Sequence, residues 1–169
     1  METVLAAIVP ALNEEKTIKE VILDLKKYIN LIIVVSDGSI DSTEDIAISS
    51  GAIVIRNNYN QGPEYATELG FQKAKELNAT HVITFDADGQ HSVRDAHRFA
   101  KEILKCKEEI IFGSRFLGHE SKIPFIKRLV LRTVVAITNF FTGVKLTDAH
   151  NGLKGFKMSA INKINIKLD

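Results

Sequence analysis

Cysteine is nearly absent from this chain: Cys106 is the only one among 169 residues. An internal disulfide is excluded, and a reducing compartment is the simpler expectation. With no activating context beside it, that thiol reads as ordinary packing rather than as a nucleophile. Excess charge of either sign is missing as well. The 22 Lys and Arg against 21 Asp and Glu leave a formal net charge of +1, which gives no global reason to expect nucleic acid as a partner. Long hydrophobic runs are also lacking. No uncharged apolar run reaches the roughly eighteen residues of a membrane span, and the nearest approach, Ile123 to Val144, is interrupted by Lys127, Arg128 and Arg132. The start, with acidic Glu2 and a short apolar run Val4 to Val9, does not read as a signal peptide.

What is present is ordinary for a folded chain, with 45% hydrophobic and 25% charged residues. The length suits one domain over 1–169, and no repeat or linker divides it. Apolar runs of strand length alternate with stretches of helical period, which predicts βαβ units and a mainly parallel sheet. Val4–Val9 is expected as a first strand closed by Pro10, with Asn13 capping a helix whose Ile18, Val21, Ile22, Leu25 and Ile29 share a face. Leu31–Val35 is expected as the second strand, Asp41 and Glu44 as a capping box, and Gly51 as the end of that helix. Ala52–Ile55, Val82–Phe85 and Ile110–Phe112 complete the predicted strands, with helices from Pro63 to about Leu77 and, capped by Ser92, to about Lys105. The polar clusters Pro10–Glu14, Ser36–Asp41, Asp86–His91 and Gly113–Arg115 all follow strands. In open parallel sheets that edge is where ligands bind.

The sharpest cluster is Phe85-Asp86-Ala87-Asp88-Gly89-Gln90-His91. Two carboxylates one residue apart at a strand end can face one cavity, and such hard oxygen donors suit Mg²⁺ or Mn²⁺ bridged to phosphate. The alternative, that both acids only cap a turn, loses ground in this strand-end context. Asp37 follows the second strand and is left unexplained by turn chemistry, so a nucleobase or ribose contact is expected for it. Glu14 and the Pro10–Leu12 backbone lie where a base can be held. No glycine-rich basic loop follows the first strand, which disfavours a nucleotidyltransferase, and no G-x-G-x-x-G is present for a dinucleotide.

The ordered segments IVPALNEE, VVSDGSIDST, NQGPEYATELGFQKA, FDADGQH, FGSRF and TDAHNGLKGF resemble the family 2 glycosyltransferases of GT-A fold. They look most like the polyprenyl-phosphate branch similar to dolichol-phosphate mannose synthase. The resemblance implies a three-layer α/β/α sandwich. It also implies transfer from a UDP- or GDP-sugar to a polyprenyl-phosphate or other lipid-linked acceptor, with inversion at the anomeric carbon. It assigns Pro10, Glu14 and Asp37 to the nucleoside end, where the Leu12 backbone also lies, and Asp86 and Asp88, which flank Ala87, with neighbouring Gln90 to the metal and diphosphate. Arg115 falls near the phosphates, for which a guanidinium is well shaped. Asp148 falls on the acceptor side, where a carboxylate can orient or deprotonate a hydroxyl, although a phosphate acceptor is already anionic.

The chain departs from that pattern in three places. Ser36 stands where an acid usually precedes Asp37, Pro63-Glu64 follows Gly62 in place of a basic or small residue, and the relatives' further C-terminal segment has no counterpart after Asp169. The last departure keeps a second reading open, a nucleotide-sugar-binding module or subunit without turnover. The stretch from Lys122 through Lys127, Arg128 and Arg132 to the adjacent Phe140 and Phe141 is basic, then apolar. It is expected to meet a membrane surface or lipid phosphate, which places the protein peripherally at the cytoplasmic face.

Overall fold

The computed structural model describes residues 3–89, 93–114, 125–143, 145–148 and 152–163. Its strands are Leu5–Ala11 (β1), Leu31–Asp37 (β2), Ile53–Asn57 (β3), His81–Thr84 (β4), Ile110–Phe112 (β5) and Lys154–Lys157 (β6). They form one six-stranded sheet in the order β3-β2-β1-β4-β6-β5. β1 pairs in parallel with β2 and β4, and β2 with β3, while β6 runs antiparallel between β4 and β5. The helices are Ile18–Leu25 (α1), Thr43–Ser49 (α2), Pro63–Glu76 (α3), Val93–Lys105 (α4), Phe125–Thr142 (α5) and Met158–Lys163 (α6).

Strand alternation sorts the core into two layers. Leu5, Ala7, Val9, Ile32, Val34 and Ile83 point to one face, where α1, α2 and α4 bring Ile18, Ile22, Ala47, Ala100 and Ile103. Ala6, Ile8, Ile33, Val35 and Val82 point to the other, covered by α3 and α6 through Ala66, Phe71, Ala74 and Met158. Each fully buried Val, Leu or Ile side chain contributes about 1.5–3 kcal/mol to this arrangement. On the second face α3 approaches closely because residue 70 is glycine: a methyl group there overlaps the side chain of Ile8. The expected three-layer α/β/α sandwich is the observed fold.

Three local expectations are corrected. β1 does not close at Pro10 but continues to Ala11, pairing Pro10 with Val35. The Phe85 amide bonds the Ile8 carbonyl, so Ile8 and, two residues on, Pro10 are oriented toward β4. That ladder ends at the Ile8–Thr84 pair, so the missing Pro10 N–H costs no ladder bond. Asn13 does not cap α1, which starts after Thr17 without a side-chain cap. Asp41 and Glu44 form no capping box either: α2 follows Ser42 without a cap bond, and Glu44 instead pairs with Arg56 at 2.7 Å. β6 and α6 have no counterpart among the elements that the sequence predicts. Lys154-Gly155-Phe156-Lys157 has no apolar run, and it becomes a strand through pairing on both sides.

Candidate functional site

The chain order places a crevice at the carboxyl ends of β1 and β4. From β1 the sheet grows outward through β2 and β3, and it then resumes on the opposite side with β4. That reversal is where ligands enter open α/β sheets. β1 delivers Pro10, Leu12 and Glu14 to this crevice, and β4 delivers Asp86, Ala87 and Asp88.

The β1–α1 and β2–α2 loops are laced together. Asn13, at φ 56°, accepts a bond from the Ile40 amide at 2.9 Å, and its own amide donates to the Ser39 hydroxyl at 3.1 Å. The Glu14 amide donates to the buried Thr43 hydroxyl at 2.7 Å. Its half-buried carboxylate accepts from the Thr17 hydroxyl at 2.8 Å. Asp41 accepts from the Thr43 hydroxyl and amide and, at 3.2 Å, from the Glu15 amide. Desolvation acts to raise the Asp41 pKa, but these bonds outweigh it and hold the carboxyl below its ordinary value of 3.8. Leu12 is left exposed at the mouth, with Pro10 half-buried behind it.

Asp37 is only 4% exposed, and its carboxylate is engaged by the loop after β3. Oδ1 accepts from the Asn57 side chain at 2.7 Å and the Gln61 amide at 3.1 Å; Oδ2 accepts from the Gln61 and Gly62 amides at 3.0 and 2.8 Å. The residue expected to meet a nucleoside thus holds the segment that walls this end of the crevice. Gly38 belongs to the same arrangement. At φ 79° it lies beneath that segment, and a methyl group there would come within 2.8 Å of the Asn60 nitrogen.

At the β4 tip Asp86 is half-buried, Ala87 buried and Asp88 exposed. Gly89, at φ 70°, sits near the Thr17 side chain, so this turn abuts the β1–α1 loop. On the other flank Asp86 lies against Gly152, at the entrance to β6. Among the described residues no group of three or more His, Cys, Asp and Glu is assembled for a metal; Asp86 and Asp88 are the two carboxylates at the β4 tip. Asp148, expected on the acceptor side, is buried at 2% exposure. Gln90, His91, Ser92 and Arg115 lie outside the described residues.

The structure therefore joins Pro10, Leu12, Glu14, Asp37, Asp86, Ala87 and Asp88 along one edge. Sequence reasoning missed Thr43, Asn57, Thr84 and Gly152, which hold these residues in place. Each is a neutral residue with at least one partner remote in the chain, and no spacing signals such a contact. α5 behaves differently from the core helices. Phe140 and Phe141 are 83% and 80% exposed and pack edge-to-face on each other, with Val130 and Ile137 also exposed. Arg132 is exposed as well, while the side chains of Lys127 and Arg128 lie outside those described. No helix among the described residues is long and apolar enough to cross a membrane.

A mainly parallel sheet with one antiparallel strand between β4 and β5 is the sheet of the GT-A class of α/β/α fold. Glucosyl-3-phosphoglycerate synthase of Mycobacterium tuberculosis in complex with UDP shares it, with TM-score 0.70 and 21% identity over 93% of this chain and 57% of that one. The chain belongs to glycosyl transferase family 2, whose sequence model matches residues 6–164. A UDP-N-acetylglucosamine–dolichyl-phosphate N-acetylglucosaminyltransferase of Methanococcus voltae is 33% identical over 95% of this chain and 72% of its own length. An uncharacterized protein of Methanocaldococcus jannaschii is 38% identical over 93% of this chain, which spans 66% of that relative. A dolichyl-phosphate beta-glucosyltransferase of Trichomonas vaginalis is 28% identical over 90% of this chain and 53% of its own length.

Proposed function

We propose that this chain is the donor-binding core of a metal-dependent glycosyltransferase. It takes a UDP- or GDP-sugar and transfers the sugar to a polyprenyl-phosphate or other lipid-linked acceptor at the cytoplasmic membrane face. The observation that carries this reading is the meeting of Glu14, Asp37 and the Asp86–Asp88 pair at the switch point of the sheet. The lipid-linked acceptor is supported by the dolichyl-phosphate relatives. Contact with the membrane surface is supported by the exposed phenylalanines of α5.

Pro10, Leu12 and Glu14 serve the nucleoside end, and Asp37 serves it by holding the loop from Asn57 to Gly62. The donors at the β4 tip fit Mg²⁺ or Mn²⁺, which bind through one or two carboxylates and complete their shell with substrate phosphates. Asp86 and Asp88, with Gln90 beside them, would hold the ion. The chemistry such an ion supplies when bound is neutralisation of the charge on a diphosphate leaving group. A related fold has been solved with Mn²⁺ and UDP-glucose, in the same synthase of Mycobacterium tuberculosis. In the reaction an acceptor oxygen attacks the anomeric carbon, the bond from that carbon to the diphosphate oxygen breaks, and the nucleoside diphosphate departs with inversion. Arg115 is assigned to the phosphates and Asp148 to positioning the acceptor, while Lys127, Arg128 and Arg132 serve the membrane or acceptor side.

A thermal-melt panel of UDP-, GDP- and TDP-sugars, with and without Mn²⁺, tests the proposal. Stabilisation by one nucleotide that requires the metal supports it, because a ligand bound only by the folded state raises the melting temperature. An equal response to every donor, unchanged by a chelator, contradicts it.

A further inference from the structure

A side chain at position 152 would displace the Asp86 carboxylate from where it stands. β4 and β6 are antiparallel, pairing Thr84 with Lys154 and Ile83 with Gly155. Continuing that register past the last pair sets Asp86 opposite Gly152. Side chains on directly opposed residues of such a pair come within contact, and a methyl group built on Gly152 overlaps the Asp86 carboxylate. The Asp86 side chain thus occupies the space a cross-strand neighbour would fill.

Gly152 is also locked in place. The Thr84 hydroxyl donates to the Gly152 carbonyl at 2.6 Å and accepts from the Lys154 amide at 3.2 Å, bracketing the segment that enters β6. Thr84 is buried, so solvent does not compete for these bonds. One strand further out, the Gly113 amide donates to the Leu153 carbonyl at 2.8 Å. The backbone against which Asp86 rests is therefore fixed from both neighbouring strands.

We infer that Thr84 and Gly152 are positioning residues that set the Asp86 carboxylate for a divalent cation and diphosphate, an inference that rests on the donor-site reading above. Thr84 fixes where the β6 entrance lies, and the bare Cα of Gly152 leaves Asp86 the room it occupies. Neither residue offers the ligand a side-chain contact of its own. Partners that orient a metal-binding carboxylate typically change metal affinity by about 10–100-fold when removed.

The test uses the whole chain and titrates Mn²⁺ with UDP and with GDP, alongside each nucleotide in chelator. Thr84→Val keeps the shape and removes both hydrogen bonds; Thr84→Ser keeps the hydroxyl; Gly152→Ala fills the space. Thr84→Val and Gly152→Ala are expected to weaken the Mn²⁺-dependent part of nucleotide binding by about tenfold or more. Binding in chelator is expected to stay unchanged, and Thr84→Ser to bind as the parent does. Folded variants that bind Mn²⁺ and nucleotide like the parent overturn the inference, as does an equal loss with and without the metal. If Gly152→Ala fails to fold, the contrast between Thr84→Val and Thr84→Ser decides. A parent chain with no metal-dependent binding of either nucleotide overturns the donor-site reading itself, and this inference with it.

Discussion

The Asp37 carboxylate accepts a hydrogen bond from the Gly62 amide at 2.8 Å, tying the end of β2 to the entrance of α3. With the Asn57 and Gln61 bonds to the same carboxylate, the contact makes one wall of the crevice a rigid extension of the sheet. Bonds to a buried charged acceptor are worth about 1.5–3 kcal/mol each. Asp37→Asn replaces one acceptor oxygen with a donor that opposes the loop amides. A loss of about 1–3 kcal/mol in urea unfolding is expected, with faster hydrogen exchange at Gln61 and Gly62. Unchanged exchange at those amides would show that the loop does not depend on Asp37.

Next to it, Ser36 is 0% exposed and its hydroxyl has no hydrogen-bond partner among the described residues. A buried polar group without a partner carries its desolvation cost uncompensated. Ser36→Ala is therefore expected to raise stability by about 1 kcal/mol, seen as a higher urea midpoint with unchanged slope. A drop in stability would mean that the hydroxyl is satisfied in solution.

At the opposite end of the sheet, His81 begins β4, with Nδ1 2.9 Å from the Thr80 hydroxyl. Desolvation, followed by repulsion from Lys157, holds its pKa below the ordinary 6.5. The unfolded chain then takes up the proton first as pH falls. Stability from the neutral ring is full above about 6.5 and declines below it. His81→Asn should flatten the fall in stability between about pH 7 and pH 5. An unchanged slope would assign that fall to other groups.

How far the sequence was legible depended on whether a residue's role was local. β1 to β5, the core face of α1 and the acids at the β4 tip follow from period, length and strand-end position. β6 was hidden because Lys154 and Lys157 flank a glycine needed for packing: a methyl group on Gly155 would come within 3.0 Å of Phe99 and of Ile111. Asn13 and Asp41 were legible as polar loop residues. Their use was not, since Asn13 spends its side chain on Ile40 and Asp41 on Thr43 and Glu15. Asp37 was marked by its failure to fit turn chemistry, but its partners lie 20 to 25 residues away.

The adjacent Phe140 and Phe141, both exposed, carry the proposed membrane contact. Large exposed apolar patches mark sites of association. Replacing both with Ser should reduce cosedimentation with anionic vesicles by about fivefold or more, on the order of 1 kcal/mol of lost apolar burial. Nucleotide binding should be unaffected. Equal vesicle binding by the double variant would remove α5 from the membrane reading.

The most direct measurement of the central claim is phosphorus NMR of UDP or GDP bound to the chain, with Mn²⁺ added in small amounts. If Asp86 and Asp88 share a cation with the diphosphate, its phosphorus resonances broaden strongly in the parent chain. In Asp88→Ala they broaden no more than for free nucleotide under the same Mn²⁺. Equal broadening in parent and variant would place the metal elsewhere and contradict the account.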